Sequence, residues 1–234
     1  MLKVAYNSAL FLASILAYPF FYFRKNEKSK LFHRYGNWGI RAENIIWIHA
    51  ASVGEVSALF PLISLLRKKF AHNKILITTL TINGLDKAKE ISDYAFLYPF
   101  DSEYWLRRAF RGISFKMLII CETEIWPNMI NLAHARKVPI YAVNARISEY
   151  SFPRYKKLKF FLRGYLKKYT KIMVINEVSK ARFIELGAPA EKVSLCGYSK
   201  YDVSRREDAA HEQSIKQKIF TTDLPLIVLG SLRP

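Results

Sequence analysis

Cysteine is almost absent from this chain, and its two residues, Cys121 and Cys196, form no C-x-x-C pair. A disulfide framework and a dithiol redox site are excluded, and a reducing compartment suits the composition. Histidine is scarce too: there are five, with no H-E-x-x-H and no clustered ligand spacing, so no metal site is indicated. No G-x-G-x-x-G follows a strand-like run, which removes the dinucleotide fingerprint of a dehydrogenase. Acidic residues are outnumbered, 19 against 37 Lys and Arg, for a net charge of +18. Such a charge attracts polyanions, whether nucleic acid, an anionic membrane face or phosphorylated substrates. A helix-turn-helix, a zinc knuckle and an RNP-like aromatic strand are all missing, which disfavours nucleic acid. Internal repeats and low-complexity tracts are missing as well. What remains is 234 residues, 51% of them hydrophobic, enough for one large domain or one domain and part of a second.

The first organised feature is an apolar run from Val4 to Phe23, interrupted by Asn7, Ser8 and Ser14. A helix of ~20 residues spans roughly 30 Å, the thickness of a bilayer's hydrocarbon layer. Arg24, Lys25, Lys28, Lys30 and Arg34 follow at once, which places the bulk of the chain on the cytoplasmic side by the positive-inside rule. No A-x-A-type cleavage site follows the run, so it reads as a retained membrane-anchor helix over 1–23 with a basic linker over 24–42. An interfacial or core helix is the alternative, because Pro19 and the polar residues weaken a span.

From about Glu43 the pattern alternates. Short β-rich runs (IIWIHA, KILITTL, FKMLIIC, PIYAV, KIMVI) are separated by segments of helical periodicity, such as Val56–Phe70 with Leu59, Ile63, Leu66 and Phe70 on one face. This predicts an α/β fold, a Rossmann-like parallel sheet with helices on both faces, over 43–202. A polar linker over 203–224 then leads to PLIVLG, the opening strand of a second domain over 225–234.

In such a sheet ligands bind at the carboxyl ends of the strands, where HAASVGE, TTLTING, ETEIWPN, NARIS and NEVSKARF follow the five runs. Ser, Thr and Asn there are no more than helix caps require. Glu122 and Glu124 in one loop, and Arg146 in the next, exceed that requirement. Ser52-Val53-Gly54-Glu55 fits the S-x-x-E capping box, so Glu55 has a structural reading beside any chemical one. Close carboxylates raise one another's pKa, and a Glu55 near another glutamate would be poised as a base.

S-V-G-E after the first strand, E-T-E-I-W-P-N, N-A-R-I-S, R-F-x-x-L-G and G-x-x-K-Y-D, in this order, resemble the 3-deoxy-D-manno-octulosonic acid (Kdo) transferases. The resemblance runs from the hydrophobic N-terminus to about Asp202. It implies the N-terminal, acceptor-binding half of a two-domain GT-B glycosyltransferase at the cytoplasmic face of the inner membrane. It further implies CMP-Kdo as donor, a lipid A precursor as acceptor, anionic lipids as surroundings, and no metal or other cofactor. Glu55 is implied as proton acceptor, and a glutamate of the E-T-E loop with Lys200 as stabilisers of the transition state. Glu122, nearest the strand end, is favoured for that role over Glu124, which is left to cap the Trp126–Pro127 helix or to orient Glu55. Lys200 also fits an ordinary surface lysine. Ser52 and Gly54 would border the substrate, Gly54 by permitting close approach. Asn144, Arg146 and Ser148 would shape the acceptor pocket, or serve as caps and an ion pair.

Two departures stand out. Tyr198 replaces the small polar residue usual after the glycine of G-x-x-K, and Gly230-Ser231 continues as Leu232-Arg233-Pro234 instead of Thr-His. A non-catalytic membrane-associated module holding acidic glycolipid is therefore the alternative to an enzyme. Because most nucleotide contacts in this family belong to the donor domain, the 234 residues alone are expected to yield no product from CMP-Kdo and a lipid A precursor. Product detected by mass spectrometry would contradict this.

Overall fold

The computed structural model describes residues 2–23 and 30–199. Seven strands, β1 (Ala42–His49), β2 (Ile75–Thr79), β3 (Tyr94–Leu97), β4 (Ile113–Cys121), β5 (Ile140–Ala145), β6 (Lys171–Val174) and β7 (Val193–Leu195), form one parallel sheet in the order 3-2-1-4-5-6-7. The expected Rossmann-like α/β architecture is therefore present. β3 and β7 escaped the sequence pattern because they are short edge strands, and an edge has one neighbour to pack against.

The central strands show why the runs are apolar throughout. On β1, Ile45 and Trp47 enter one core layer while Ile46 and Ile48 enter the other, so both faces of the strand are buried. Beneath one face lie α3 (Val53–Ala58), α4 (Phe60–Lys69) and α5 (Ile82–Ile91), through Val56, Ile63, Leu66 and Ala88. The other face is covered by α6 (Glu103–Ala109), α7 (Pro127–Ala135), α9 (Lys159–Leu166) and α10 (Glu177–Glu185), with the short α8 (Phe152–Lys157) leading into α9. The single helix expected over Val56–Phe70 is two helices meeting at Leu59. Pro61 sits in the first turn of α4, where its missing N–H would have broken a continuous helix.

The N-terminal helix α1 (Leu2–Phe23) is present and carries one 18-residue stretch, Tyr6–Phe23, long and apolar enough to cross a membrane. The stretch expected to be a basic linker is different in its second half. A single-turn helix, α2 (Leu31–Arg34), and the residues after it fold onto the domain, burying Leu31, His33 and Trp38. Trp38 stacks on Phe96 with ring centroids 4.5 Å apart. The expected second domain and its linker, 203–234, lie outside the described residues.

One buried carboxylate ties three of these elements together. Asp101, between β3 and α6, accepts from the backbone N–H groups of Asn128 and Met129 at 3.0 Å each and so caps α7 from a distant part of the chain. It also accepts from the Tyr98 hydroxyl at 2.7 Å and the Tyr6 hydroxyl of α1 at 2.9 Å. Burial pushes its pKa up to about 6, against the pull of those donors. Asp101→Asn would turn an amide N–H₂ toward donors and leave at least one unsatisfied. The expected cost is about 2–4 kcal/mol of stability, read as a lowered urea midpoint at unchanged m-value. A midpoint equal to wild type would show that the hub is dispensable.

Candidate active site

β1 and β4 lie side by side, with His49 in register with Ile120, and their following helices go to opposite faces. A crevice therefore opens beyond their carboxyl ends, at the topological switch point. Glu55 rises from the first turn of α3 beyond β1, while Glu122 and Glu124 follow β4 directly.

Glu55 has the structural role its sequence context suggested. Ser52 is the N-cap of α3 and its hydroxyl accepts from the Glu55 N–H at 3.4 Å. One Glu55 carboxylate oxygen accepts from the Ala51 N–H at 2.8 Å and the other from the Ser52 hydroxyl at 2.9 Å. The box is thus shifted by one residue, since the carboxylate reaches Ala51 instead of the cap's own N–H. These bonds hold the carboxylate in one orientation without removing its remaining lone pairs. Burial raises its pKa, and the Glu122 charge adds to that, while the Ala51 and Ser52 donors and Arg146 pull it down. A cap would be stabilised by a low pKa, so the upward shift is more than capping needs.

The second loop is strained. Glu122 has φ 58°, a left-handed conformation rare for a non-glycine residue and costly by roughly 1–2 kcal/mol. Its backbone N–H nevertheless extends the sheet ladder to Val143 at 2.8 Å, so the turn occurs immediately at the strand end. Arg146 donates to one Glu122 oxygen from two nitrogens, at 3.0 and 3.2 Å, and the Tyr198 hydroxyl donates to the other at 3.2 Å. Thr123 clasps the same arginine through its backbone carbonyl and N–H. Glu124 accepts from the Trp126 indole N–H at 2.7 Å. It does not cap α7, whose first N–H groups go to Asp101. Burial, then the charges of Glu55 and Glu122, push its pKa up to about 7.

The remaining expected site residues divide. Arg146 and Ser148 line a cleft of about 480 Å³ with Glu122, Glu124, Asn176 and Arg182. Asn144 is not among its lining residues. It is buried, has φ 53°, and clamps the Gly197–Ser199 segment: its amide N–H donates to the Ser199 hydroxyl at 2.8 Å and its oxygen accepts from the Ser199 N–H at 3.1 Å. Ser148 bonds Ser151 at the entry to α8, so it serves the turn as well as the cleft. Gly54 has open space where a Cβ would stand, so nothing in the fold crowds it. Lys200 lies outside the described residues.

Sequence reasoning passed over Trp126, the partner of Glu124, and Asp101; it noted Tyr198 only as a departure. Trp126 was legible in principle, since it stands two residues from Glu124 in E-T-E-I-W-P-N. The capping of α7 by Asp101 and its hold on α1 left no local signal, because Asn128 and Tyr6 are 27 and 95 residues away. Among the described residues no group of His, Cys, Asp and Glu could hold a metal ion.

A parallel sheet of this order with a crevice at its β1/β4 switch point defines a Rossmann-like α/β domain. The profile of the family described as 3-deoxy-D-manno-octulosonic-acid transferase matches residues 25–203, and the chain belongs to that family. It is 33% identical over 200 residues to a 3-deoxy-D-manno-octulosonic acid transferase of Haemophilus influenzae, covering 84% of this chain and 47% of that protein. It is 36% identical over 203 residues to a bifunctional glycosyltransferase/methyltransferase of Fusobacterium nucleatum, covering 83% of this chain and 31% of that protein. The chain thus spans less than half the length of each of these curated relatives. Among solved structures, UDP-GlcNAc 2-epimerase from Neisseria meningitidis shares the fold, with a TM-score of 0.52 and 14% identity, covering 78% of this chain and 55% of that one.

Glu124 also sets a pH dependence. Its native pKa near 7 lies above the ordinary 4.5, so the folded state binds the extra proton and stability falls as pH rises from 4.5 to 7. Glu124→Gln, whose amide oxygen can still accept from Trp126, removes that penalty. At pH 8 the variant is expected to exceed wild type by on the order of 1–2 kcal/mol, a fraction of the full shift because the group is partly solvated. At pH 4 denaturant curves of the two should coincide.

Proposed function

We propose that this chain is the acceptor-binding half of an enzyme that transfers Kdo from CMP-Kdo to a lipid A precursor at the cytoplasmic face of the inner membrane. The observation that carries the reading is the convergence of Glu55, Glu122 and Glu124 at the switch point, with Glu55 and Glu124 held above the usual carboxylate range. Transfer to an alcohol needs a base beside the acceptor hydroxyl. Glu55, oriented by Ala51 and Ser52, takes the proton as the hydroxyl oxygen bonds to the anomeric carbon of Kdo. The bond from that carbon to the CMP phosphate breaks, and the electron pair leaves with the phosphate.

Positive charge develops on the sugar meanwhile, and the Glu122 carboxylate, fixed by Arg146 and Tyr198, favours it. Lys200 is assigned to the departing phosphate on its place in G-x-x-K-Y-D alone. Glu124, its pKa pushed up to about 7 and so roughly half protonated near neutrality, holds Trp126 and lowers the site's total negative charge. Arg146, Arg182 and Ser148 give the adjoining cleft groups that bind acidic or hydroxyl-rich acceptors.

The test joins this chain to a donor half taken from a Kdo transferase and follows product by mass spectrometry. Glu55→Gln retains the size and much of the hydrogen bonding of the cap but accepts no proton. As the base, its loss should lower kcat by roughly 10²–10⁴ with melting temperature and acceptor affinity nearly unchanged. If Glu55 only caps, stability should fall by at most about 1 kcal/mol and turnover should survive. A folded Glu55→Gln protein working at wild-type rate would refute the assignment.

A further inference from the structure

The polarity of α1 is inverted relative to a soluble helix. Its docked seam is Asn7, Leu10, Ser14, Ala17 and Phe21, a three–four spacing that keeps one stripe against the domain, with Tyr6 beside it. Tyr6, Asn7 and Ser14 lie on or beside that seam, whereas Ser8 faces outward. Tyr6 donates to buried Asp101 at 2.9 Å. Asn7 accepts from the Glu103 N–H at 2.8 Å, capping α6, and from the Asn128 side-chain amide at 3.1 Å. Ser14 is fully buried and accepts from the Trp105 indole at 2.9 Å, while its carbonyl accepts from the Tyr35 hydroxyl at 2.6 Å. At the far end Phe21 packs on Phe100 at 5.9 Å, with the Arg34 guanidinium 4.9 Å above its ring. The outer face is predominantly apolar, with Ser8 as a polar exception: Val4, Leu12, Leu16, Phe20 and Phe23 are exposed by 58–82%.

Contacts therefore pin the helix to the domain from Tyr6 to Phe21, roughly 22 Å of its axis at 1.5 Å per residue. A helix crossing the bilayer in this state would carry α6, with the charges of Glu103, Arg107 and Arg108, into hydrocarbon, where each is costly to bury. Undocking it would strand Asn7 and Ser14 in lipid and leave Trp105 and the end of α6 without partners. Lying in the plane of the surface needs neither. The occupant of the outer face is then one leaflet of an anionic bilayer, which the +18 chain and the basic run Arg24, Lys25, Lys28 and Lys30 immediately after the helix would attract.

We propose that α1 is an in-plane membrane helix, clamped to the domain by Tyr6, Asn7 and Ser14 and inserting its apolar face into a single leaflet without crossing it. This rests on the membrane attachment proposed above but on none of the chemistry, so it stands or falls without a transfer assay. The test uses the 234-residue chain with Cys196→Ser, in which Cys121 is buried. Val4→Cys, Leu12→Cys and Phe23→Cys each carry a nitrobenzoxadiazole label, on vesicles of phosphatidylethanolamine and phosphatidylglycerol at 3:1. Quenching by lipids spin-labelled at shallow and deep positions should place all three at one shallow depth, and external dithionite should bleach all three.

A deep Leu12 label with one end protected from dithionite would mean a span and overturn the proposal, as would failure to bind the vesicles. The paired variant Tyr6→Phe, Asn7→Ala reads the clamp itself. It removes the contacts to Asp101, Asn128 and the α6 N-terminus, and should lower the melting temperature of the soluble-side domain by roughly 4–10 °C. An undocked spanning helix would leave that temperature unmoved, and this result too would overturn the proposal.

Discussion

The pairing of β1 with β4 is the constraint on which the site depends. Two strands more than 60 residues apart in the chain lie in parallel register at the centre of the sheet, His49 beside Ile120. Their crossovers leave to opposite faces, so the loops that follow them cannot cover one another and must border a crevice. Glu55, Glu122 and Glu124 all stand just beyond one of those two strands. Both strands are buried on both faces, so a polar change at Ile46, Trp47, Ile119 or Ile120 would have no compensating exposure.

The electrostatics of the crevice follow from that placement. Three carboxylates at one rim repel, and burial disfavours each charge further, which is why Glu124 titrates near 7 and Glu55 above its usual range. The protein offsets this locally. Glu122 has an arginine and a tyrosine hydroxyl, Glu55 a backbone N–H and a serine, and Glu124 an indole. A left-handed backbone at Glu122, directly at the strand end, is the strain that aims the first of these.

Asp101 extends the same logic away from the crevice. By capping α7 it fixes the helix whose N-terminal approach carries Glu122, Glu124 and Trp126, and by holding Tyr6 it joins that helix to α1. Helix α1 and the carboxylate loop therefore share one buried acceptor. The same contacts account for Tyr6, Asn7 and Ser14 in an otherwise apolar helix, since all three side chains bond to the domain.

The sequence by itself determined the α/β class, the five interior strands, the family and the position of the glutamates just beyond strand ends, because each is written in short-range pattern. Continuous apolar runs, cap residues and five ordered motifs need no knowledge of distant partners. Tertiary structure alone decided the two edge strands, the break at Leu59, the folding of Leu31–Trp38 onto the domain and the commitment of Asn144 to Ser199. It also removed the capping use left for Glu124, which bonds the Trp126 indole while Asp101 caps α7. Apart from the break at Leu59, which Pro61 marks locally, the deciding partner is remote in sequence. A hydrogen bond across 27, 55 or 95 residues leaves no periodicity to find, and only the closed sheet brings its ends together.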